Sequence, residues 1–576
     1  MPGSSPWRTR VRLLQTELGD FGVRNLINLG AVAGAVLLLA ASWAPLQILG
    51  AAAAVASFIA IIVRRSRQIF SGPDDALLGF YVTVRALLLI SVGAGYLIRS
   101  PDSGGWAWVG VGLALMLVLA ETLIKGLLGT TRIVVANLPG VPTLPSPPLS
   151  AGWVTLANLV LILFGGLCAV LALPGWLLLL AGAATIPLSA IITRYAVRVT
   201  VNSRRAEAAT RPALERLHPR FVIYYAAVAG VRYQLGMWLP YLERLGQPFV
   251  VITRNPVTVP EITELTSAPV LVPRTDRGMS NHLDSMVVDS LRAAFYVQGS
   301  PGNGTFQRYP LTHVWLNHGD SDKQANYHPR HATYTKVFVS GQQGIDRYAA
   351  HGIDVPRDKF AIVGRPQIEE ILVRDEPLPP NAPRTVLYAP TWKGGRPSTN
   401  YSSLPVGEQI VRRLLDRGSI VIFRPHPLSY SDRTDTGRIQ AIQALLEADR
   451  QASGRQHVWG QQAERDWDVP SCFNASDALI TDVSSLASDY LASGKPFAMV
   501  AITAAGEAFR TEFPMARVAY VIEPDLSTLD EVLDALHGAD HLASQRRAYR
   551  TYCLGEHLGP DAAREFLRIA GEIVTA

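Results

Sequence analysis

Three short segments in the second half of the chain hold residue types that could grip a phosphate or diphosphate. The first, ALITDVSSLASDYLASGKP (478–496), reads as a strand ending at Thr481, a turn at Asp482 and a helix starting near Ser484 or Ser485. A helix N-terminus presents unpaired backbone N–H groups, and two hydroxyls beside them add further donors, so the arrangement suits an anion. Asp489 follows Ser485 by four positions and shares its helix face. The second segment, VIFRPHPLS (421–429), sets Arg424 and His426 just past a buried strand, with Pro425 and Pro427 stiffening the turn. A cation and an imidazole held rigidly there suit a diphosphate. The third, YAPTWKGG (388–395), places Thr391, Trp392 and Lys393 after another strand. Each segment alone also reads as an ordinary cap, a core tryptophan or a loop histidine; it is the three together that point to a phosphate site.

The elements that must position these residues begin near residue 219. There, β-branched runs such as FVIYYAA (221–227) and PFVVITR (248–254) alternate with amphipathic stretches, one of them helical near 232–245. The series continues with 268–273, 314–319, 336–340 and 359–364. A Pro-rich link at 375–384 separates it from a second series at 385–390, 419–426, 477–481 and 496–501. Two runs of strand–helix units predict two Rossmann-like domains, residues 215–374 and 385–576, facing a cleft: an α/β outline shared by the GT-B fold and other double-Rossmann proteins. In such sheets ligands bind beyond the carboxyl ends of the strands, where the three segments fall.

The ordered set of segments resembles the CDP-glycerol glycerophosphotransferase family over approximately residues 215–572. That family carries Y-A-P-T-W, R-x-H-P and S/T-D-x-S-S-x-x-x-D-Y/F segments in this order. It also has an earlier H-G-T-P-x-K segment, matched here by HGDSDK with His318 and Lys323 in register, and a G-R-P segment, here Gly364-Arg365-Pro366. The resemblance implies a GT-B fold, a CDP-activated polyol phosphate donor and a polymeric or lipid-linked acceptor, with no cofactor and no resident metal. It further implies that His318 is the general base and that Arg424, His426, Thr391, Ser484 and Ser485 hold the diphosphate. Asp482 or Asp489 would orient neighbours or contact ribose, and Lys323 and Arg365 complete the substrate-binding set. Departures fall at Asp320, Ser321-Asp322 and Gln367, on the side expected to meet the acceptor. Asp320-Ser321-Asp322 also mimics a D-x-D metal site, but Lys323 beside it and the lack of supporting carboxylates argue against one.

The first part of the 576-residue chain has a different composition, so the mean hydropathy of +0.17 averages two unlike regions. Six apolar segments, near 25–44, 46–63, 77–98, 104–124, 152–173 and 175–194, each approach the ~20 residues a membrane span needs. They predict a multi-span membrane domain over 25–198, behind a leader at 1–24 without cleavable-signal features. A Pro-rich loop is expected at 134–150. Arg85 lies inside the third segment and is expected to pair across helices. Arg8, Arg10, Arg12 and Arg24, then Arg64, Arg65 and Arg67, then Lys125 and Arg132, then Arg194, Arg198, Arg204 and Arg205 fall on one side, and Arg99 on the other. That bias predicts a cytoplasmic catalytic half.

A net charge of +6 without a basic recognition helix gives nucleic acid little support. Cys168, Cys472 and Cys553 stand too far apart for a metal or disulfide framework. Two other readings stay open: a GT-B glycosyltransferase using a nucleotide-sugar for capsule or glycolipid, and a transporter or scaffold with a degenerate nucleotide-binding domain.

Overall fold

A computed structural model describes residues 25–37, parts of 45–63, and 78–576 except 80, 129–131, 146, 275–281, 318, 320–325, 375, 377–383 and 396–398. The chain divides into two compact units. One is built chiefly from residues before 211, the other chiefly from residues after it.

The first unit is helical. Its described helices are α1 (Asn25–Leu37), α2 (Val82–Arg99), α3 (Pro101–Leu128), α4 (Gly152–Val170) and α5 (Trp176–Leu217). Stretches of three of them, Gly104–Leu128, Gly152–Val170 and Trp176–Leu217, are long and apolar enough to cross a membrane, so this region is multi-pass. Helices α1 and α2 are shorter apolar helices, and part of the expected 46–63 span lies outside the described residues. Gly110 allows close packing, since a β-carbon there would meet the Leu179 backbone at 2.9 Å.

Arg85 is paired, as its place in an apolar helix demands. Its guanidinium donates to both oxygens of Glu121, at 2.6 and 2.9 Å, and both side chains are fully buried. Thr155 Oγ1 (2.8 Å), Asn158 Nδ2 (2.6 Å) and the Gly79 N–H (3.1 Å) donate to the same carboxylate. One residue of α2, one of α3 and two of α4 thus share a single polar knot. In hydrocarbon, where no water can replace a lost partner, such a knot fixes how helices register.

The second unit holds two sheets. The first has the order β1-β4-β3-β2-β5-β6-β7-β8, with β1 Val134–Ala136, β2 Phe221–Tyr225, β3 Phe249–Thr253, β4 Val270–Val272, β5 Ala293–Tyr296, β6 Thr312–Trp315, β7 Lys336–Val339 and β8 Phe360–Ile362. Strands β2 to β8 pair in parallel. The second sheet has the order β10-β9-β11-β12-β13, with β9 Thr385–Ala389, β10 Ile420–Phe423, β11 Ala478–Thr481, β12 Phe497–Val500 and β13 Tyr520–Ile522, all parallel. Their central strands are buried on both faces, which is why they read as continuous apolar runs rather than alternating ones. Both sheets are doubly wound, and together they make the two Rossmann-like halves of a GT-B fold.

Three strands differ from the sequence reading. β5 (AAFY) is alanine-rich with few β-branched residues, and β13 has only three residues. β1 lies inside the stretch expected to be an irregular Pro-rich loop. The helix expected at 232–245 is two short pieces, Val231–Gln234 and Leu239–Glu243.

Candidate active site

In the second sheet the strand order reverses between β9 and β11, so the crevice beyond their carboxyl ends is flanked by the loops starting at Pro390 and Asp482. Asp482 is completely buried and works as a fastener there. Its Oδ2 accepts the Thr391 N–H at 2.6 Å and the Ser403 N–H at 3.1 Å, tying together three loops. Thr481 Oγ1 donates to the Ala389 carbonyl at 2.7 Å, closing the strand ends below. Nearby, the Tyr388 hydroxyl meets Ser403 Oγ at 3.0 Å. Burial, reinforced by the Asp482 charge, drives the Tyr388 phenol well above its ordinary pKa, so it stays neutral.

Ser484 is the N-cap of the helix Ser485–Tyr490, its Oγ accepting the Leu486 N–H at 3.3 Å. Facing this turn is the loop after β6. A β-carbon on Gly319 would lie 3.2 Å from both Cβ and Oγ of Ser485, so only glycine allows this approach without displacing the serine. Gly319, in the loop after β6 of the first sheet, and Ser485, after β11 of the second, therefore approach each other closely. His318 and Lys323 themselves, with Asp320-Ser321-Asp322, lie outside the described residues.

Asn317, which the sequence reading passed over, shapes that loop. Its φ of 63° is left-handed, a region asparagine tolerates better than most residues. Its Nδ2 donates to the Gly319 carbonyl at 2.8 Å and to Asn326 Oδ1 at 2.6 Å, while its carbonyl accepts Trp238 Nε1–H at 2.6 Å. The visible signal was an asparagine between an apolar strand and His-Gly. A small cavity of about 40 Å³ lies beside this loop at the ends of β6 to β8, lined in part by Asn317, Asn326, Arg347 and Arg365.

Several residues read as ligand contacts are engaged with protein groups. Arg365 and Asp489 bind each other through Nε–Oδ1 at 2.8 Å and Nη2–Oδ2 at 3.1 Å, both largely buried. Arg424 turns one terminal nitrogen onto the carbonyls of Ala463 and, at 2.9 Å, Trp467, and so braces the 462–466 turn. Lys393 pairs with Asp432; their hydrogen bond raises the lysine pKa and lowers that of the carboxylate.

His426 is better placed for a ligand. It caps the turn Pro427–Ser431 by accepting the Leu428 N–H at Nδ1, 3.1 Å away. The neutral ring's proton therefore sits on Nε2, which can donate. Its ring lies 6.3 Å from that of Trp392 and 6.2 Å from that of Tyr233. Tyr233 lies in the short helix Val231–Gln234 after β2, beside the first sheet's own order reversal between β2 and β5. In sequence Tyr233 falls within the helical stretch expected near 232–245, where nothing marks it for a site.

Residues 317–509 match the family described as CDP-Glycerol:Poly(glycerophosphate) glycerophosphotransferase. The glycerophosphotransferase segment contains every motif of the second sheet described above, together with the loop holding Asn317 and Gly319. No curated protein matches the chain. Among solved structures, the wall teichoic acid polymerase TagF is 12% identical, with 66% of this chain and 95% of that one covered and a TM-score of 0.37. A glycosyltransferase from Rickettsia africae is 14% identical (62% and 97% covered, TM-score 0.37). MurG from Acinetobacter baumannii is 10% identical (62% and 100% covered, TM-score 0.39).

Proposed function

We propose that the protein is a membrane-anchored transferase that moves glycerol phosphate, or a related polyol phosphate, from a CDP-activated donor to the hydroxyl of a lipid-linked or polymeric acceptor. The observation that carries this reading is the close approach of Gly319 to Ser485, both inside the segment that matches the glycerophosphotransferase family. Residues 385–576 form the donor side and residues 215–374 the acceptor side, with 375–384 linking them. The catalytic half faces the cytoplasm, where nucleotide-activated donors are made, as the bias of basic loop residues supports.

In the reaction, the acceptor oxygen attacks the β-phosphorus of the donor. The bond from that phosphorus to the bridging oxygen breaks, and CMP leaves with the electron pair. His318 takes the acceptor's proton, a role for which an imidazole is suited near neutral pH. His426 Nε2–H, the hydroxyls of Ser484 and Ser485, and Thr391 neutralise the diphosphate, since phosphoryl transfer depends mainly on positioning and charge stabilisation. Asp482 shapes the crevice by holding Thr391 and Ser403. Arg365 with Asp489, and Arg424, act by fixing the loops around it. Lys323 remains assigned to the substrate.

The test is to incubate purified full-length protein with a panel of CDP-polyols and nucleotide-sugars and to identify the nucleotide released. CMP from a CDP-polyol is expected. UMP or UDP from a sugar nucleotide, with CDP-polyols inert, would make the protein a glycosyltransferase instead.

A further inference from the structure

Helix α5 runs unbroken from Trp176 to Leu217, 42 residues. Its first part, Trp176–Thr193, contains no charged residue. Eighteen residues at 1.5 Å each span about 27 Å, close to the hydrocarbon thickness of a bilayer. Arginines follow at once, at 194, 198, 204 and 205, and all four are exposed. At 100° per residue Arg194, Arg198 and Arg205 fall within about 40° of one another, and Arg204 flanks them. The helix's own acids are engaged elsewhere: Glu215 with Arg211 at 3.1 Å, and Glu207 with Arg274 at 3.6 Å and His282 at 3.9 Å. Among the described residues none of the four arginines has an ion-pair partner.

We infer that this stripe is a docking surface for the anionic headgroups of the bilayer that α5 crosses. Arg194 and Arg198 begin where the apolar stretch ends and so stand in the headgroup layer, while Arg204 and Arg205 lie about 16 Å beyond Arg194 and about 10 Å beyond Arg198 along the axis. An arginine at an anionic surface contributes about 1 kcal/mol, roughly a fivefold preference, and the contribution fades beyond a Debye length. Arg194 and Arg198 therefore carry most of the effect. The inference does not depend on which reaction the protein catalyses.

The full chain is reconstituted in bilayers of phosphatidylcholine with about a third phosphatidylglycerol, extracted mildly, and the retained lipids are quantified. The parent should retain phosphatidylglycerol enriched about tenfold over its bulk ratio, falling towards parity in high salt. Replacing all four arginines by glutamine should remove at least fivefold of that enrichment, and replacing all four by lysine should preserve it within twofold. Equal enrichment in the parent and the glutamine variant would overturn the proposal, as would loss of enrichment in the lysine variant. It would also fall if inorganic phosphate removed the enrichment while sodium chloride of equal ionic strength did not, because the stripe would then be a discrete phosphate site.

Discussion

Arg365 and Asp489 lie 124 positions apart and close a two-bonded ion pair between the end of β8 and the helix that follows β11. The contact links the first sheet to the second. A buried pair of this kind contributes modestly as a pair, but either partner left alone is a desolvated charge. Arg365→Ala and Asp489→Ala should each lower unfolding free energy by about 3–5 kcal/mol. The double variant should lose clearly less than the sum. Denaturant titration of the four proteins measures the coupling, and strict additivity would mean that the pair does not act as a unit.

On the donor side, replacing Ser484 and Ser485 by alanine together, or His426 by alanine, should weaken CDP-glycerol binding at least tenfold. Hydrogen bonds to charged groups are worth roughly 1.5–3 kcal/mol each. Calorimetric titration of folded variants decides the matter. Unchanged affinity in both would move the diphosphate away from this crevice.

Asn317 separates loop shape from chemistry. Asn317→Gly keeps the left-handed backbone but removes the amide that holds the Gly319 carbonyl. Turnover should fall about tenfold or more, with little change in thermal stability or donor affinity. Asn317→Ala adds a backbone cost of about 1–2 kcal/mol and should also melt earlier. His318→Ala should lose at least ~100-fold in turnover while still binding donor. Full activity in Asn317→Gly would show that this clamp does not position the loop.

These cases show what sequence conveys and what it cannot. The motif loops after β9, β10 and β11 were legible because apolar strands precede them and turn prolines follow the first two, and the two-sheet outline followed from the same runs. The partners of charged residues were not. Arg424 beside a strand end looks the same in sequence whether it faces a diphosphate or the carbonyls of Ala463 and Trp467. Arg365 and Asp489 each read as ligand contacts because nothing local announces a mate so far along the chain. Asp482 was visible as a motif residue, but its work as a buried fastener for Thr391 and Ser403 depends on three loops meeting in space. Tyr233 sits in a stretch that reads only as helix, so nothing in sequence marks it as a neighbour of His426.

In the membrane region, Glu121 receives five donors and lies fully buried, so its removal should be costly. Glu121→Ala strands the Arg85 guanidinium and should destabilise the helical unit by about 3–5 kcal/mol. Pairing Arg85→Met with Glu121→Met should recover much of the loss. Thermal unfolding in detergent tests this, and a harmless Glu121→Ala would show that the knot carries no stability.

The last prediction concerns pH. His331 is buried, with its ring stacked on Trp315 at 4.4 Å and Nδ1 2.6 Å from the Tyr348 hydroxyl. Burial chiefly, with the nearby His328, lowers its pKa from 6.5 to about 3. In the folded protein the ring therefore stays neutral across the range in which the unfolded chain would take up a proton. Between those two pKa values the unfolded state binds more protons, so stability falls as pH drops. The penalty begins near pH 6.5 and grows by about 1.4 kcal/mol per pH unit, levelling off only near pH 3. Carboxylates add their own acid sensitivity lower down, so the comparison must be with a variant. His331→Phe removes the titrating ring and keeps an aromatic surface for Trp315, at the cost of the bond to Tyr348. It should be less stable than the parent at pH 7.5. The gap should narrow by about 1.4 kcal/mol when both are measured at pH 5.5. Denaturant unfolding of the two proteins at both pH values gives that difference, and a gap independent of pH would mean that His331 titrates normally in the fold.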